Sequence, residues 1–216
     1  MTLQPSQISR LLGPFELELD GRQIDIVARY LDLLMRWNRA VNLTAIRKPE
    51  EIVTRHFGES MYVTKFAGLG GSLLDVGTGA GFPGLAIKIV RPEIAIVLLE
   101  PIAKKRAFLK EVVRECAFES VEVHGDRVED FSLAHGGEFD SVTLRAVGGF
   151  ESVLPAAARC LGNAGGVYAW LTSTEAVKLS ADVADFRRLL TWSDPVKVPL
   201  SRDREIWIGR PKACST

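Results

Sequence analysis

The sequence predicts an α/β fold: a Rossmann-like, mostly parallel seven-stranded sheet with helices on both faces, preceded by an N-terminal helical cap. Two observations predict it. From residue 71 onward short apolar runs alternate with amphipathic stretches, as a parallel sheet covered on both faces requires. The first run, Leu73-Leu74-Asp75-Val76, passes into Gly77-Thr78-Gly79-Ala80-Gly81-Phe82-Pro83-Gly84 and then into helical spacing at Leu85, Ile87, Ile89 and Val90. That is strand, tight turn and helix in succession.

Taken in order, residues 25–39 place Ile26, Val27, Tyr30, Leu31, Leu34, Met35 and Trp37 at helical spacing. Residues 49–66 continue with Ile52, Val53, Phe57, Met61 and Val63, and Asn42-Leu43-Thr44-Ala45-Ile46 joins the two helices. This cap is expected to occupy residues 1–68 and the Rossmann-like unit residues 69–216. Strands are expected near 72–76, 94–99, 120–123, 139–144 and 166–171, with helices near 83–90, 103–115, 150–160 and 174–190. Two late runs, 196–200 and 205–209, are spaced to pair antiparallel at an edge.

A chain of 216 residues suffices for one well-buried domain with a small appendage. Its 27 basic and 27 acidic residues cancel, so any polyanion must be met by a local basic face. Cys116, Cys160 and Cys214 are far apart and lack metal-type spacing, which predicts reduced, structural thiols. Residues 1–13 have no secretory pattern, and no run approaches the ~18 apolar residues of a membrane span. A soluble, cytoplasmic protein is expected.

The glycine turn fits two cofactor classes. Gly79-Ala80-Gly81-Phe82-Pro83-Gly84 satisfies the G-x-G-x-x-G spacing of dinucleotide folds, and Gly77-Thr78-Gly79-Ala80-Gly81 satisfies the G-x-G-x-G loop of S-adenosylmethionine enzymes. Pro83 suits a first helical turn, where its missing N–H costs nothing. Asp75, a carboxylate just ahead of the glycines, would repel a pyrophosphate and attract an ammonium and a sulfonium, which favours S-adenosylmethionine. Glu100, ending the next strand, is placed to accept hydrogen bonds from ribose hydroxyls with either cofactor.

In such a sheet ligands sit at the carboxyl ends of the strands. After the third strand, Val128 and Glu129, with Asp126 the weaker candidate, suit an adenine ring. The same residues also read as a helix start, with Asp126 as cap and Glu129 completing a capping box. The fourth strand ends on Arg145-Ala146, with no Asp or Asn followed by prolines to accept hydrogen bonds from an exocyclic amine, and no cysteine lies at a strand end to attack a pyrimidine. An acceptor nucleophilic in its neutral form remains, such as guanine N7, for which catalysis is mainly alignment. Arg145 could hold a phosphate, stack on a base or donate to guanine O6; an ion pair at the strand end is the alternative.

Basic residues cluster at Arg36, Arg39, Arg47 and Arg55-His56; at Lys104, Lys105, Arg106 and Lys110; and at Arg202, Arg204 and Arg210. If these edges converge they form a phosphate-binding rim. Otherwise they are solvated faces. His56 and His124 read as structural.

These residues resemble the bacterial small-subunit ribosomal RNA guanine-N7 methyltransferases, the glucose-inhibited division protein B family. The resemblance is carried by Trp37-Asn38-Arg39-Ala40-Val41-Asn42-Leu43-Thr44-Ala45-Ile46, Arg55-His56, Asp75 through Gly79, Pro83-Gly84, Arg91-Pro92, Lys105-Arg106 with Phe108-Leu109, Arg127-Val128-Glu129 and Arg145-Ala146. It implies a class I S-adenosylmethionine-dependent methyltransferase fold and methyl transfer to N7 of guanosine 527 in the 530 loop of 16S RNA. It also implies a cytoplasmic enzyme whose partner is 16S ribosomal RNA or a small-subunit particle; a monomer is expected. By resemblance Gly77 and Phe82 contact the cofactor, Val128 and Glu129 flank its adenine, Arg145 serves cofactor and RNA, and Arg127 and Arg204 contact RNA. Two positions depart from the family pattern: Glu59 stands where Asp is usual, and Thr172-Ser173 where Lys-Gly is usual.

The lost lysine leaves a second reading, a non-catalytic RNA or ribosome-assembly binding module that keeps the fold. A nicotinamide-dependent oxidoreductase rests on the overlapping G-x-G-x-x-G spacing alone.

Overall fold

The computed structural model describes residues 3–66, 68–182 and 189–212. Its sheet runs in the order β3-β2-β1-β4-β5-β8-β6. β1 (Ser72–Val76), β2 (Ala95–Leu99), β3 (Val121–His124), β4 (Phe139–Arg145) and β5 (Leu161–Thr172) are mutually parallel. β8 (Arg204–Pro211) lies antiparallel to β5. The order reverses at β1, which pairs with β2 on one side and β4 on the other, so a crevice opens above the ends of β1 and β4.

Among the described residues the sheet has eight strands where seven were expected. β6 (Leu190–Trp192) and β7 (Val196–Lys197) both pair antiparallel with β8, at opposite ends of it. Pro195 stands between them, and a residue without an N–H cannot continue the ladder. The edge is therefore one strand broken in two. The helix expected over 174–190 is α9 (Ser173–Asp182, numbered in chain order with the helices below); residues 183–188 fall outside the described residues, and Leu190 already belongs to β6.

Alternation along β1 divides the core into two layers. Leu73 faces a cluster that holds Tyr30, Phe57, Phe82, Leu85 and Phe108. Leu74 and Val76 face another with Leu99, Val142, Leu144, Val153 and Leu154. The first layer is covered by α2 (Gly21–Val41), α5 (Gly84–Val90) and α6 (Ala103–Glu115), the second by α7 (Val128–Ala134) and α8 (Phe150–Arg159). The N-terminal helices share the first cluster with the sheet. α2 starts from a capping box in which Asp20 accepts from Gln23 N and Gln23 returns to Asp20 N.

Sequence periodicity missed α1 (Pro5–Leu12), a short helix that buries Ile8 and Leu12. The stretch read as one helix over 49–66 is a composite. It comprises α3 (Pro49–Ile52), a π-helical segment Val53–Gly58, α4 (Glu59–Met61) and a 3-10 turn Tyr62–Lys65. Widened helices of this kind concentrate at functional sites. Gly58 is needed there because a Cβ would stand 2.3 Å from the Phe15 ring.

Gly81 holds the cap against the glycine turn. Its φ is +87°, and a Cβ would lie 2.2 Å from the Tyr30 hydroxyl and 2.8 Å from Leu85. Tyr30 donates to Ala80 O at 2.5 Å while its ring stacks on Phe82 at 5.4 Å. Gly81→Ala combines a left-handed backbone with overlap against packed atoms, and is expected to cost about 2–4 kcal/mol. Urea denaturation reads this directly, and a midpoint equal to wild type would refute the packing.

Candidate cofactor and acceptor site

Two cavities open at the carboxyl ends of the strands and share one residue, Gly77. The first, 350 Å³, is bounded by Leu99, Asp126, Val128, Glu129, Val147 and Ser152 among others. The second, 460 Å³, lies between the glycine turn and the cap, and includes Thr44, His56, Phe82, Lys105, Arg145 and Arg204.

The Asn38 to Ile46 segment folds into the wall of the second cavity by its own polar side chains. Asn38 donates to Thr44 O at 2.9 Å and accepts from Thr44 N at 3.0 Å, closing a six-residue loop. Asn42 ends α2 at φ 53°, a left-handed conformation that Asn tolerates better than most residues. Thr44 Oγ1 lies 2.7 Å from His56 Nε2 and accepts from Ile46 N.

Asp75 requires a correction. It was expected to face a cationic cofactor, but it is fully buried and lines neither cavity. One carboxylate oxygen accepts from Gly84 N at 2.8 Å and from Thr78 Oγ1 at 2.5 Å, the other from Thr143 Oγ1 at 2.8 Å. Asp75 thus ties the start of the turn to its end and to β4. Burial pushes its carboxyl up to about 6, against the pull of these three hydrogen bonds. Pro83 takes the cap position before α5 rather than its first turn, leaving Gly84 N to Asp75.

Glu100 is nearly buried at the end of β2. It is 3% exposed, accepting from Gly79 N at 3.1 Å and from Ile102 N at 2.8 Å. Gly81 packs on Tyr30 and lines neither cavity, whereas Gly79 and Phe82 border the second. The capping-box reading of Asp126 fails. α7 begins at Val128 with Arg127 at the cap position and no side-chain cap, and Glu129 accepts instead from Ser152 Oγ at 2.9 Å. Arg127, Val128 and Glu129 all border the first cavity.

Arg145 is enclosed by the cap. Nη1 donates to Ser60 Oγ at 2.7 Å and His56 O at 3.5 Å, and Nη2 to Arg55 O at 2.5 Å and Glu59 at 3.1 Å. It makes the strand-end ion pair named as the alternative, and it still borders the second cavity. Ala146 follows at φ 54°, strained for a residue with a Cβ, which turns the chain sharply off β4 at the cavity edge.

Each basic cluster reaches this cavity: Arg55 with His56, Lys105 and Arg204 all border it. The rest of the clusters do not all converge. Arg36 pairs with Glu111, Arg106 donates to Glu100 O and Pro101 O, and Arg210 lies over the Tyr168 ring.

Two further residues matter at the second cavity. Glu59 is 2% exposed and meets Arg145 at 3.1 Å, Arg204 at 2.6 Å and Arg55 at 4.0 Å. The available signal was a lone acid among the buried positions Phe57, Gly58, Ser60 and Met61. His56 stacks on Phe82 at 5.0 Å and has a buried Nδ1 with no hydrogen-bond partner. Burial, then Arg145, Arg55 and Arg204, push its imidazole down to about 3. Thr172, in place of the usual lysine, caps α9: its Oγ1 accepts from Glu175 N while Glu175 accepts from Thr172 N.

A parallel sheet closed by an antiparallel β8 between β5 and β6, with a glycine turn after β1 facing the crevice, defines the class I S-adenosylmethionine-dependent methyltransferase fold. The solved precorrin-6y C5,15-methyltransferase of Geobacter metallireducens shares that fold, with a TM-score of 0.51 at 16% identity over 66% of this chain and 80% of that one. The model of the GidB family, rRNA small subunit methyltransferase G, matches residues 23–189, and the chain belongs to that family. It is 39% identical over 146 residues to ribosomal RNA small subunit methyltransferase G of Chromobacterium violaceum, covering 68% of this chain and 69% of that protein. The protein of the same name from Stutzerimonas stutzeri is 41% identical over 159 residues, 73% of each chain. Family membership closes the nicotinamide reading.

Asp75 and His56 give opposite pH slopes. Asp75, raised from 3.8 to about 6, contributes stability that is complete below its unfolded value and is lost as pH rises through 6. This corresponds to about 3 kcal/mol. His56, lowered from 6.5 to about 3, contributes stability present above 6.5 and lost as pH falls. Denaturation from pH 4 to 7 is expected to show wild type losing ground to Asp75→Asn with rising pH, and to His56→Gln with falling pH. Parallel curves for wild type and either variant would refute that residue's assignment.

Proposed function

We propose that the protein transfers a methyl group from S-adenosylmethionine to N7 of guanosine 527 in the 530 loop of 16S ribosomal RNA. The observation that carries this reading is the pair of cavities meeting at Gly77, one with an apolar wall beside Glu129, the other ringed by cations. Family membership and the names of the relatives supply the ribosomal RNA of the small subunit. The nucleotide and the N7 atom rest on the resemblance and on the acceptor chemistry at the end of β4.

The first cavity fits the adenosine part of the donor. Val76, Leu99, Val128 and Val153 offer apolar surface to a flat ring, and Glu129, held by Ser152, is an acceptor for an exocyclic amine. At Gly77, with φ +64°, a Cβ would stand 3.3 Å from Val147, so glycine leaves the backbone open to a ligand where the two linings meet. Glu100 retains acceptor capacity beyond its two backbone donors for a ribose hydroxyl. Asp75 and Gly81 act from behind, by fixing the turn. Bound S-adenosylmethionine supplies an electrophilic methyl group on a sulfonium.

The chain's own part is alignment and charge. Arg55, Lys105 and Arg204 surround the second cavity with positive charge suited to phosphate, while the buried Arg145 fixes its floor. His56 stays neutral at physiological pH, so its ring is a flat, uncharged surface beside Phe82. An in-plane guanine N7 lone pair needs no general base, so positioning within the cavity is what the protein contributes. Arg127 at the rim of the first cavity extends the basic surface.

The test is labelled methyl transfer to small subunits isolated from cells lacking this enzyme, followed by mapping of the modified nucleotide. Label at that guanosine is expected. Donor binding without transfer would favour the non-catalytic binding module instead. Gly77→Val should weaken donor binding at least tenfold, because a branched side chain crowds Val147 and disfavours the φ of +64°. Arg204→Gln should reduce the salt-dependence slope of RNA binding by about 1.

A further inference from the structure

The geometry points to Glu59 as the positioning residue of the acceptor cavity: one buried carboxylate that locks Arg145 in place and tethers Arg204 at the rim. The inference rests on the methyltransferase reading of this site and adds to it the group that sets its two central arginines.

Glu59 stands on α4, just after the π-helical segment, and its side chain is 3% exposed. One carboxylate oxygen accepts from Arg145 Nη2 at 3.1 Å and from Arg204 Nη1 at 2.6 Å, and the other lies 4.0 Å from Arg55 Nε. The Glu59 carbonyl accepts from Trp170 Nε1 at 3.0 Å, which pins α4 to β5. Residues from the ends of β4, β5 and β8 therefore converge on one position of the cap.

The two arginines are held differently. Arg145 donates to four groups of the cap, with its side chain 8% exposed, so its guanidinium has a fixed plane. Arg204 is 24% exposed, its guanidinium contacts Glu59, and it borders the cavity. A planar guanidinium whose plane is fixed presents a constant face to a flat acceptor, whereas a tethered one at the rim can also meet phosphate. Three arginines against one carboxylate leave the cavity cationic, so Glu59 orders the cluster without cancelling its attraction for RNA.

The position also explains why the cap is broken at this point. In the widened segment the carbonyls of Arg55 and His56 are available to Arg145, while Glu59 and Ser60 follow on the same side.

Single-turnover transfer to unmodified small subunits, with donor affinity measured separately by calorimetry, decides the matter. Glu59→Gln keeps the shape and removes the charge. It is expected to lower the transfer rate at least tenfold and leave donor affinity within twofold of wild type, because neither arginine borders the first cavity. Glu59→Asp, which restores the charge, should recover at least a third of the rate. A wild-type rate in Glu59→Gln, or no recovery in a folded Glu59→Asp, overturns the proposal. If Glu59→Gln does not fold, Ser60→Ala decides. It removes one anchor of Arg145 and is expected to reduce the rate about threefold with KM for the subunit unchanged, and a wild-type rate overturns the proposal. Failure of wild type itself to transfer methyl would count against the enzymatic reading and not against this residue.

Discussion

Arg145 ends β4 inside the protein, and a guanidinium so placed must be satisfied for the strand end to be buried at all. Four groups of the cap do this, with Glu59 supplying the counter-charge. Such a pair adds little net stability, since desolvation offsets most of the attraction, but leaving one partner alone costs about 3–5 kcal/mol. The gain is in register. The cap docks on the sheet with Arg55, His56, Glu59 and Ser60 around Arg145, and the second cavity then has one wall from the cap and the other from the glycine turn.

The glycine turn is fixed by the same means in miniature. Asp75 is a buried carboxylate satisfied by Thr78, Gly84 and Thr143, so the turn is shaped before any ligand meets it. On its other side Gly81 lets the Tyr30 ring approach, and Tyr30, Phe82 and His56 stack in sequence from the core to the cavity. A preorganised wall of this kind suits chemistry whose main requirement is alignment. Burial and surrounding arginines keep His56 neutral, so the stack ends in an uncharged ring inside a cationic cavity.

Particular residues show how far the sequence could be read. Alternation of apolar runs located β1 to β5 within a residue or two at most ends, because strands buried on both faces leave a local signal; β5 starts earlier than expected. Pro195, visible in the sequence, splits the edge strand, yet its effect depends on β6 and β7 sharing β8 as partner. The Asn38 to Ile46 segment was recognised by resemblance, and its loop geometry follows from short-range bonds between Asn38 and Thr44. The π-helical segment was not legible, because its apolar spacing differs little from that of an α-helix.

By itself the sequence determined the sheet, the glycine turn and the family, all of which are written in local pattern. It placed Gly77, Val128, Glu129 and Arg145 at strand ends that border the two cavities, and Arg204 in a basic cluster that sends it to the second. Only the tertiary structure decided which acids face inward. Asp75 and Glu100 are strand-end carboxylates in sequence, but folding closes backbone donors around both. Glu59 looked like a mild change of chain length. It became the hub of the site because it meets Arg145 and Arg204 from 86 and 145 residues away, and the partners of a buried charge are set by which elements pack together.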